Sequence, residues 1–430
     1  MPRLLLLLPT TTYRAQAYLD AARCLKLDVT VGGAQDFSSA SETAGNFLPL
    51  DLGLPHQSAQ AAAEFSRHYL IDAVIGVDDL AAVTAAAIAE KLALPHNSVA
   101  SVSAARNKFR MRQLLSTQGV PVPRYKVFPI DGDPIHCAKQ VTYPCVVKPL
   151  ILSASCGVIR VNDEGEYADA FRRVVALLNT LGLAKGDEQA RWILAEDFVA
   201  GPEVALEGLL TKGVLQPLAV FDKPDPLDGP FFEETIYVTP SRLPSDLQQR
   251  IVNCAGLAAR ALGLQEGPVH GEFRVNDQGV WVIELAARTI GGRCSRTLSF
   301  AADMSLEELI LRHAFRMPLP SLTRRNGASG VMMLPVPYSG VLKEVRGQNE
   351  ARAVPGIEEL TITALPGQTL VPLPEGTRYL GFILARGRIP ADVELSLREA
   401  HRRLTVAIRA SRSTSVDAPG TPAEIRTMSF

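Results

Sequence analysis

The chain has 430 residues, 47% hydrophobic and 21% charged, the profile of a globular protein with room for roughly two to four domains. A formal net charge of −1 provides no overall field for nucleic acid or an anionic membrane surface, and no run approaches the ~18 apolar residues of a membrane span. The six cysteines are scattered without a C-x-x-C, which argues against a zinc site or a disulfide framework and fits reduced thiols in a cytoplasm.

Leu4 to Leu8 is short and ends in Pro9 and three threonines, so it reads as a buried first strand of a parallel sheet and not as the core of a signal peptide. Beyond it, helix and strand signals alternate. A helix is predicted from Arg14 to Leu27, with Ala15, Tyr18, Leu19, Ala22 and Leu25 near one face. Strands follow at Val29–Val31 and Ala73–Val77, then an alanine-rich helix from Leu80 to Leu92. This alternation implies a parallel α/β sheet. The turn after the first strand runs from Pro9 through three threonines to Tyr13, Arg14 and Ala15, and without G-x-G-x-x-G it is no dinucleotide site.

Ser103 is placed to cap a helix running to about Gln118, with Gly119 as its stop. Lys108 and Arg112 lie four apart on that helix, and taken alone they read as a solvated basic face. Pro121 and Pro123 stiffen the exit, and Tyr125–Phe128 opens a new sheet near residue 124. An apolar strand then ends in Lys148, a charge that is either snorkelling to solvent or aimed at an anion. Ser153, Ser155 and Gly157 belong to a small-residue loop able to present N–H groups and hydroxyls to phosphate, although it is not a Walker loop. Trp192 to Val199 is a strand running through Gly201-Pro202 to Glu203, with a second strand from Val204 to Leu210. The segment from Phe231 to Thr235 places Glu233 and Glu234 beside two phenylalanines and reads as a loop packed over a groove.

The chemistry gathers between His270 and Arg293. Glu272–Val275 and Val280–Ile283 read as two strands joined by a three-residue loop, Asp277-Gln278-Gly279. In that register Asn276 faces Val280, and Glu272 faces Glu284 on one side of the ribbon. Phe273, Val275, Trp281 and Ile283 then point toward a core. Two adjacent carboxylates call for a shared proton, a cation or a divalent metal, unless they merely face solvent. Arg288, Gly292 and Arg293 follow at the strand end, where an anionic group can be held. From Gly330 to about Ala410 the chain reads as strands and a helix from Pro390 to Leu404. Ser411 onward is rich in Pro, Ser and Thr and is expected to be a mobile tail.

In this order, Asn107-Lys108 with Arg112, Gly119 to Pro123, Pro144 to Pro149, Ser155 to Val158, Glu196 to Glu203, His270 to Phe273 and Glu284 to Gly292 resemble the ATP-grasp superfamily. The resemblance runs from about residue 1 to 410 and is closest to the bacilysin-type L-amino acid ligases. It implies an α/β fold with α+β subdomains: a Rossmann-like parallel-sheet domain over 1–105, an ATP-grasp domain over 106–328 with its lid at about 124–200, a small C-terminal domain over 329–412 like that of biotin carboxylase, and a tail over 413–430. It implies that Lys108 and Lys148 hold ATP phosphates from two subdomains, while the loop of Ser153, Ser155 and Gly157 closes over them. Glu196, Asp197, Phe198 and Val199 would form the hinge that reads adenine, and Glu203 would take the ribose hydroxyls. Glu272 and Glu284 would hold Mg²⁺ (or Mn²⁺). Arg288 and Lys148 would be catalytic, and Glu234, Arg288, Gly292 and Arg293 would meet the substrates.

The reaction so implied joins a small-molecule carboxylate to an amine through an acyl phosphate, in a cytoplasmic homodimer without nucleic-acid or membrane partners. A biotin-carboxylase-like carboxylation and a non-catalytic ATP-binding protein are the alternatives. Three positions depart from the wider pattern. Ala286 replaces the asparagine of Glu-x-Asn, as in the bacilysin-type ligases. Gly157 stands where relatives often have several glycines, and Tyr237 stands where those ligases tend to have histidine.

Overall fold

The structure is a computed structural model that describes residues 1–10, 12–34, 45–410 and 425–429. It divides into two compact units, each assembled from separated segments. The first unit holds Met1–Val122, Val204–Val220 and Leu243–Asn326, and the second holds Pro123–Glu203, Phe221–Arg242 and Gly327–Phe430.

In the first unit a four-stranded sheet runs in the order Phe47–Pro49, Asp28–Gly33, Arg3–Leu7, Ala73–Gly76, and every pairing is parallel. Leu4 to Leu7 are completely buried, as befits a central parallel strand covered on both faces. The two expected helices stand at Ala15–Cys24 and Asp79–Lys91, the latter capped by Asp78, which accepts from Ala81 N. The strand Phe47–Pro49 and the helix Pro55–Ser66 were not predicted. That helix buries only Ser58, Ala59 and Ala62, a stripe of small side chains with little periodic contrast.

The helix expected from Ser103 to Gln118 is two helices, Val99–Arg106 and Lys108–Thr117. Ser98 and Asn107 cap them, not Ser103. Asn107 lies in extended backbone and its side chain accepts from Arg110 N, so the chain restarts its helix at Lys108. This restart buries Lys108, Met111, Arg112 and Leu115 together, which overturns the solvated basic face.

The hairpin exists, with Glu272 opposite Glu284 as expected, but a different turn and register produce the pairing. Asn276 pairs with Gly279 across a two-residue loop, and its Oδ1 accepts from Gln278 N (3.0 Å), Gly279 N (3.2 Å) and Trp281 Nε1 (3.1 Å). A bulge leaves Ile283 without a partner across the ribbon and restores the Glu272–Glu284 match. Below the bulge Phe273 opposes Val282 and Val275 opposes Val280. These four, not Trp281 and Ile283, enter the core, where they join Ile251, Ala255 and Ala258 of the helix Ser245–Leu262.

The second unit contains an antiparallel sheet in the order Tyr125–Pro129, Trp192–Asp197, Cys145–Pro149, Ile159–Val161. The helix Glu164–Thr180 turns Tyr167, Phe171 and Val174 inward, with Phe128 edge-on to Tyr167. Elsewhere in this unit Ile236–Thr239, Ala328–Leu334, Gly381–Gly387 and Ile357–Ile362 are antiparallel neighbours. The helix Pro390–Arg402 supplies Val393, Leu397 and Ala400 to their core. A last sheet runs Thr369–Leu370, Gly340–Arg346, Thr405–Arg409, Ile425–Ser429. Of the expected mobile tail, residues 411–424 lie outside the described residues, but Ile425–Ser429 is a strand paired with Thr405–Arg409. No helix among the described residues is long and apolar enough to cross a membrane.

Candidate active site

In the first unit the hairpin sets Glu272 and Glu284 on one face, and each carboxylate has a close neighbour. Lys108 Nζ lies 3.6 Å from Glu284 Oε2, and His270 Nε2 lies 3.4 Å from Glu272 Oε1. The bulge also has a use. The Ile283 carbonyl accepts a 2.7 Å hydrogen bond from Nη2 of Arg112, whose side chain is fully buried. One helix face therefore anchors the hairpin through Arg112 and presents Lys108 to Glu284. Two opposed carboxylates offer the hard oxygen donors that Mg²⁺ accepts, so the donor set fits that ion.

Arg288 comes off the strand end into a bidentate pair with Asp79, Nε to Oδ1 at 2.9 Å and Nη2 to Oδ2 at 3.0 Å. Burial opposes its charge, but Asp79 first, then Glu284 and Glu272, outweigh that and raise its pKa. At Asp79 burial favours the neutral acid, and Arg288 with Lys108 overcomes it, so its pKa is lowered. Two backbone N–H groups of the loop beyond Arg288 are held by side chains. Ile290 N donates to Glu207 Oε2 at 3.0 Å, and Gly292 N donates to the Tyr13 hydroxyl at 2.7 Å. Burial raises the pKa of Glu207 well above the usual carboxylate range, against the hydrogen bond from Ile290. Arg293 sits in left-handed backbone (φ 58°) directly after Gly292 (φ 58°), the turn that ends this segment.

In the second unit Lys148 and Glu196 form a buried ion pair between neighbouring strands. The lysine at the end of the apolar strand is thus neither snorkelling nor solvated. Asp197 accepts from Arg124 Nε at 2.5 Å. The Phe198 ring lies 4.1 Å below the Arg160 guanidinium, and Phe198 N donates to the Pro144 carbonyl at 3.0 Å. Val199 is half-buried beside them. In the Ser153–Gly157 loop Ala154 (φ 54°) and Ser155 (φ 55°) are left-handed without being glycine, and Ser153 is exposed. Such backbone costs on the order of 1–3 kcal/mol per residue. Glu203 and Glu234 both accept from Lys223 Nζ, each at 2.7 Å. Tyr237 lies on the strand Ile236–Thr239, is buried, and packs edge-on against Phe221.

The structure therefore gathers Lys108, Glu272, Glu284, Arg288 and Arg293 in one unit and Lys148, Glu196 and Glu203 with Glu234 in the other. The sequence reading missed Lys223, Asp79 and Glu207. Lys223 carried a usable signal, since it stands one residue beyond the buried Val220-Phe221, after Asp222, much as Lys148 ends the run of Val146-Val147. Asp79 carried none, because its partner is 209 residues away.

The chain matches the ATP-grasp domain family over residues 141–297 and the L-amino acid ligase C-terminal domain 2 family over residues 332–409. It is 25% identical over 403 residues to a protein of Sinorhizobium fredii, y4rH, covering 90% of this chain and 79% of that one. It is 27% identical over 253 residues to an alanine--anticapsin ligase of Bacillus subtilis, covering 56% of this chain and 53% of that ligase. The matched region thus spans about half the length of that ligase. Among solved structures, an L-amino acid ligase from Bacillus licheniformis superposes with a TM-score of 0.79 at 26% identity, covering 95% of this chain and 99% of that one.

Proposed function

Because this chain belongs to the ATP-grasp carboxylate–amine ligases, we propose that it joins two amino-acid-like substrates, the carboxylate of one to the amine of the other, at the expense of ATP. The observation that carries the reading is the hairpin face, where Glu272 stands opposite Glu284 with Lys108 Nζ 3.6 Å from the latter. The match to the L-amino acid ligase C-terminal domain supports the substrate class.

In this reading a carboxylate oxygen attacks the γ-phosphorus and the bond to ADP breaks, giving an acyl phosphate. The amine nitrogen then attacks the acyl carbon, phosphate leaves with the carbon–oxygen electron pair, and the nitrogen sheds its proton. Such transfers need positioning and charge stabilisation more than covalent help. Lys148 and Lys108 carry the charge that meets phosphate oxygens. Ser153, Ser155 and Gly157 cover the phosphates, and Glu196 to Val199 present backbone to adenine. Glu203 takes the ribose. Glu272 and Glu284 would hold Mg²⁺ or Mn²⁺, which when bound neutralises phosphate charge. Arg288, released from or sharing Asp79, stabilises the developing oxyanion, and Gly292 and Arg293 receive the substrate carboxylate. Glu234 lies on the substrate loop.

The assignment extends to domains 1–105, 106–328 and 329–412, and to a cytoplasmic homodimer. The test is a scan of amino-acid pairs for ADP and phosphate release, with mass spectrometry of the products. The expected product weighs the sum of both substrates less one water. ADP release that needs bicarbonate and no amine would replace this reading with a carboxylation, and ATP binding without any ADP formed would replace it with a non-catalytic role.

A further inference from the structure

Lys223 is held differently from the two lysines assigned to phosphate. It is buried, its ammonium donates to Glu203 Oε1 and Glu234 Oε1 at 2.7 Å each, and it lies 4.9 Å from the centre of the Tyr237 ring. An ammonium has three donors in tetrahedral array and no acceptor. Here two of the directions are taken by carboxylates while a ring face shields the charge. One cation lies between two carboxylates, the buried Glu203 and the half-buried Glu234, and without it they would face each other with no counter-charge between them.

The segment carrying Lys223 is fixed from both sides. Asp222 accepts from Ser241 Oγ (2.6 Å), Arg242 N (3.0 Å) and Arg242 Nε (2.8 Å). Asp225 accepts from Arg398 Nη2 at 2.5 Å and from the hydroxyl of Thr235, the residue after Glu234. Arg242 and Arg398 both end on Glu394, at 2.9 Å each. The helix Pro390–Arg402 therefore braces the strand end that presents Lys223 and the loop that presents Glu234.

We propose that Lys223 is a positioning residue that joins Glu203 and Glu234 into one bracket, so that the geometry of ribose recognition and the geometry of the substrate loop are set together. The proposal rests on the assignment of Glu203 to ribose and Glu234 to the substrate loop. A bracket of this kind transmits a change at either carboxylate to the other, because the shared ammonium moves with whichever partner remains.

The test is binding, so that it does not depend on turnover. Affinities for ATP and for 2′,3′-dideoxy-ATP are measured by calorimetry on the purified full chain and on Lys223→Met, Lys223→Arg and Glu234→Gln. The wild-type chain is expected to prefer ATP by about tenfold or more, the worth of a hydrogen bond to a charged acceptor. Lys223→Met should bring that ratio near unity, Glu234→Gln should lower it part of the way, and Lys223→Arg should fall between Lys223→Met and the wild type. Glu234 has no ribose contact in this assignment, so its effect on the ratio reports the bracket. Lys223→Met risks misfolding, whereas Glu234→Gln keeps both shape and the Lys223–Glu203 pair and decides alone if the first variant does not fold. A ratio unchanged in Glu234→Gln overturns the proposal, and so does a wild-type chain indifferent to the ribose hydroxyls. Failure of the ligase reading is a separate result: preference for ATP intact, with no ADP released for any amino-acid pair.

Discussion

At Arg288 two demands meet. A guanidinium withdrawn from water must be paired, and a guanidinium that serves a reaction must face the charge that develops. The structure meets the first demand with the bidentate Asp79 pair and leaves Glu272 and Glu284 close enough to raise the pKa of Arg288 further. Replacing Arg288 by alanine should lower kcat by about 10²–10³, the usual size for loss of one preorganised charge donor, with little change in ATP affinity; an unchanged kcat removes Arg288 from the chemistry. Glu284→Gln should shift the Mg²⁺ dependence of turnover to higher concentration, and full activity at low Mg²⁺ would count against a metal role for the pair. The thiols are a third case at this scale. Burial pushes the Cys145 thiol up to about 12 and the Cys254 thiol up to about 11, whereas Cys24 is exposed. Since the thiolate is the nucleophile, iodoacetamide should modify Cys24 first in the folded chain. Early labelling of Cys145 or Cys254, mapped by peptide mass, would show that their surroundings open readily.

Among the elements, the hairpin gives the sharpest test because its two large rings lie on opposite faces. Phe273 is completely buried and belongs to the core, while Trp281 pairs with Arg274 on the carboxylate face. Phe273→Ala should cost about 3–5 kcal/mol in denaturant unfolding. Trp281→Ala should cost far less, losing mainly the bond from its indole to Asn276. Comparable losses in the two variants would mean that the bulge at Ile283 is misplaced. The restart of the helix at Asn107 matters in the same way: a continuous helix would rotate Lys108 and Arg112 away from the hairpin they now touch.

For the molecule as a whole, the second unit carries a built-in acid sensitivity. His401 on the helix Pro390–Arg402 has its pKa lowered from 6.5 to about 4, by burial first, with Arg398 adding to the shift and Asp225 opposing it. The unfolded chain takes up this proton as pH falls through 6.5, and the folded chain resists until about 4. The unfolded state therefore binds more protons across that window, so stability declines as pH drops from about 6.5 to about 4 and levels off below. The loss from this group is about 3 kcal/mol. Melting curves between pH 7 and pH 4 should show the decline, and His401→Gln should flatten it; an unflattened curve would assign the acid sensitivity to other groups.

Much was legible from the sequence because it depends on neighbours along the chain. The parallel sheet around Leu4–Leu7, the strand ends at Lys148 and Glu196, and the hairpin with its facing glutamates all follow from apolar runs and turn residues within a few positions. The order of those short signals also pointed to the family. What tertiary structure alone decided has a common cause: contacts between residues far apart in sequence leave no local pattern. The Asp79–Arg288 pair, the burial of Lys108 and Arg112, and the place of Lys223 between Glu203 and Glu234 are of this kind. The hairpin shows the boundary most plainly. Glu272 faces Glu284 by either register, but only the packing of Val280 and Val282 against Ile251 and Ala255, with a bulge taking up the spare residue, decided which face became core.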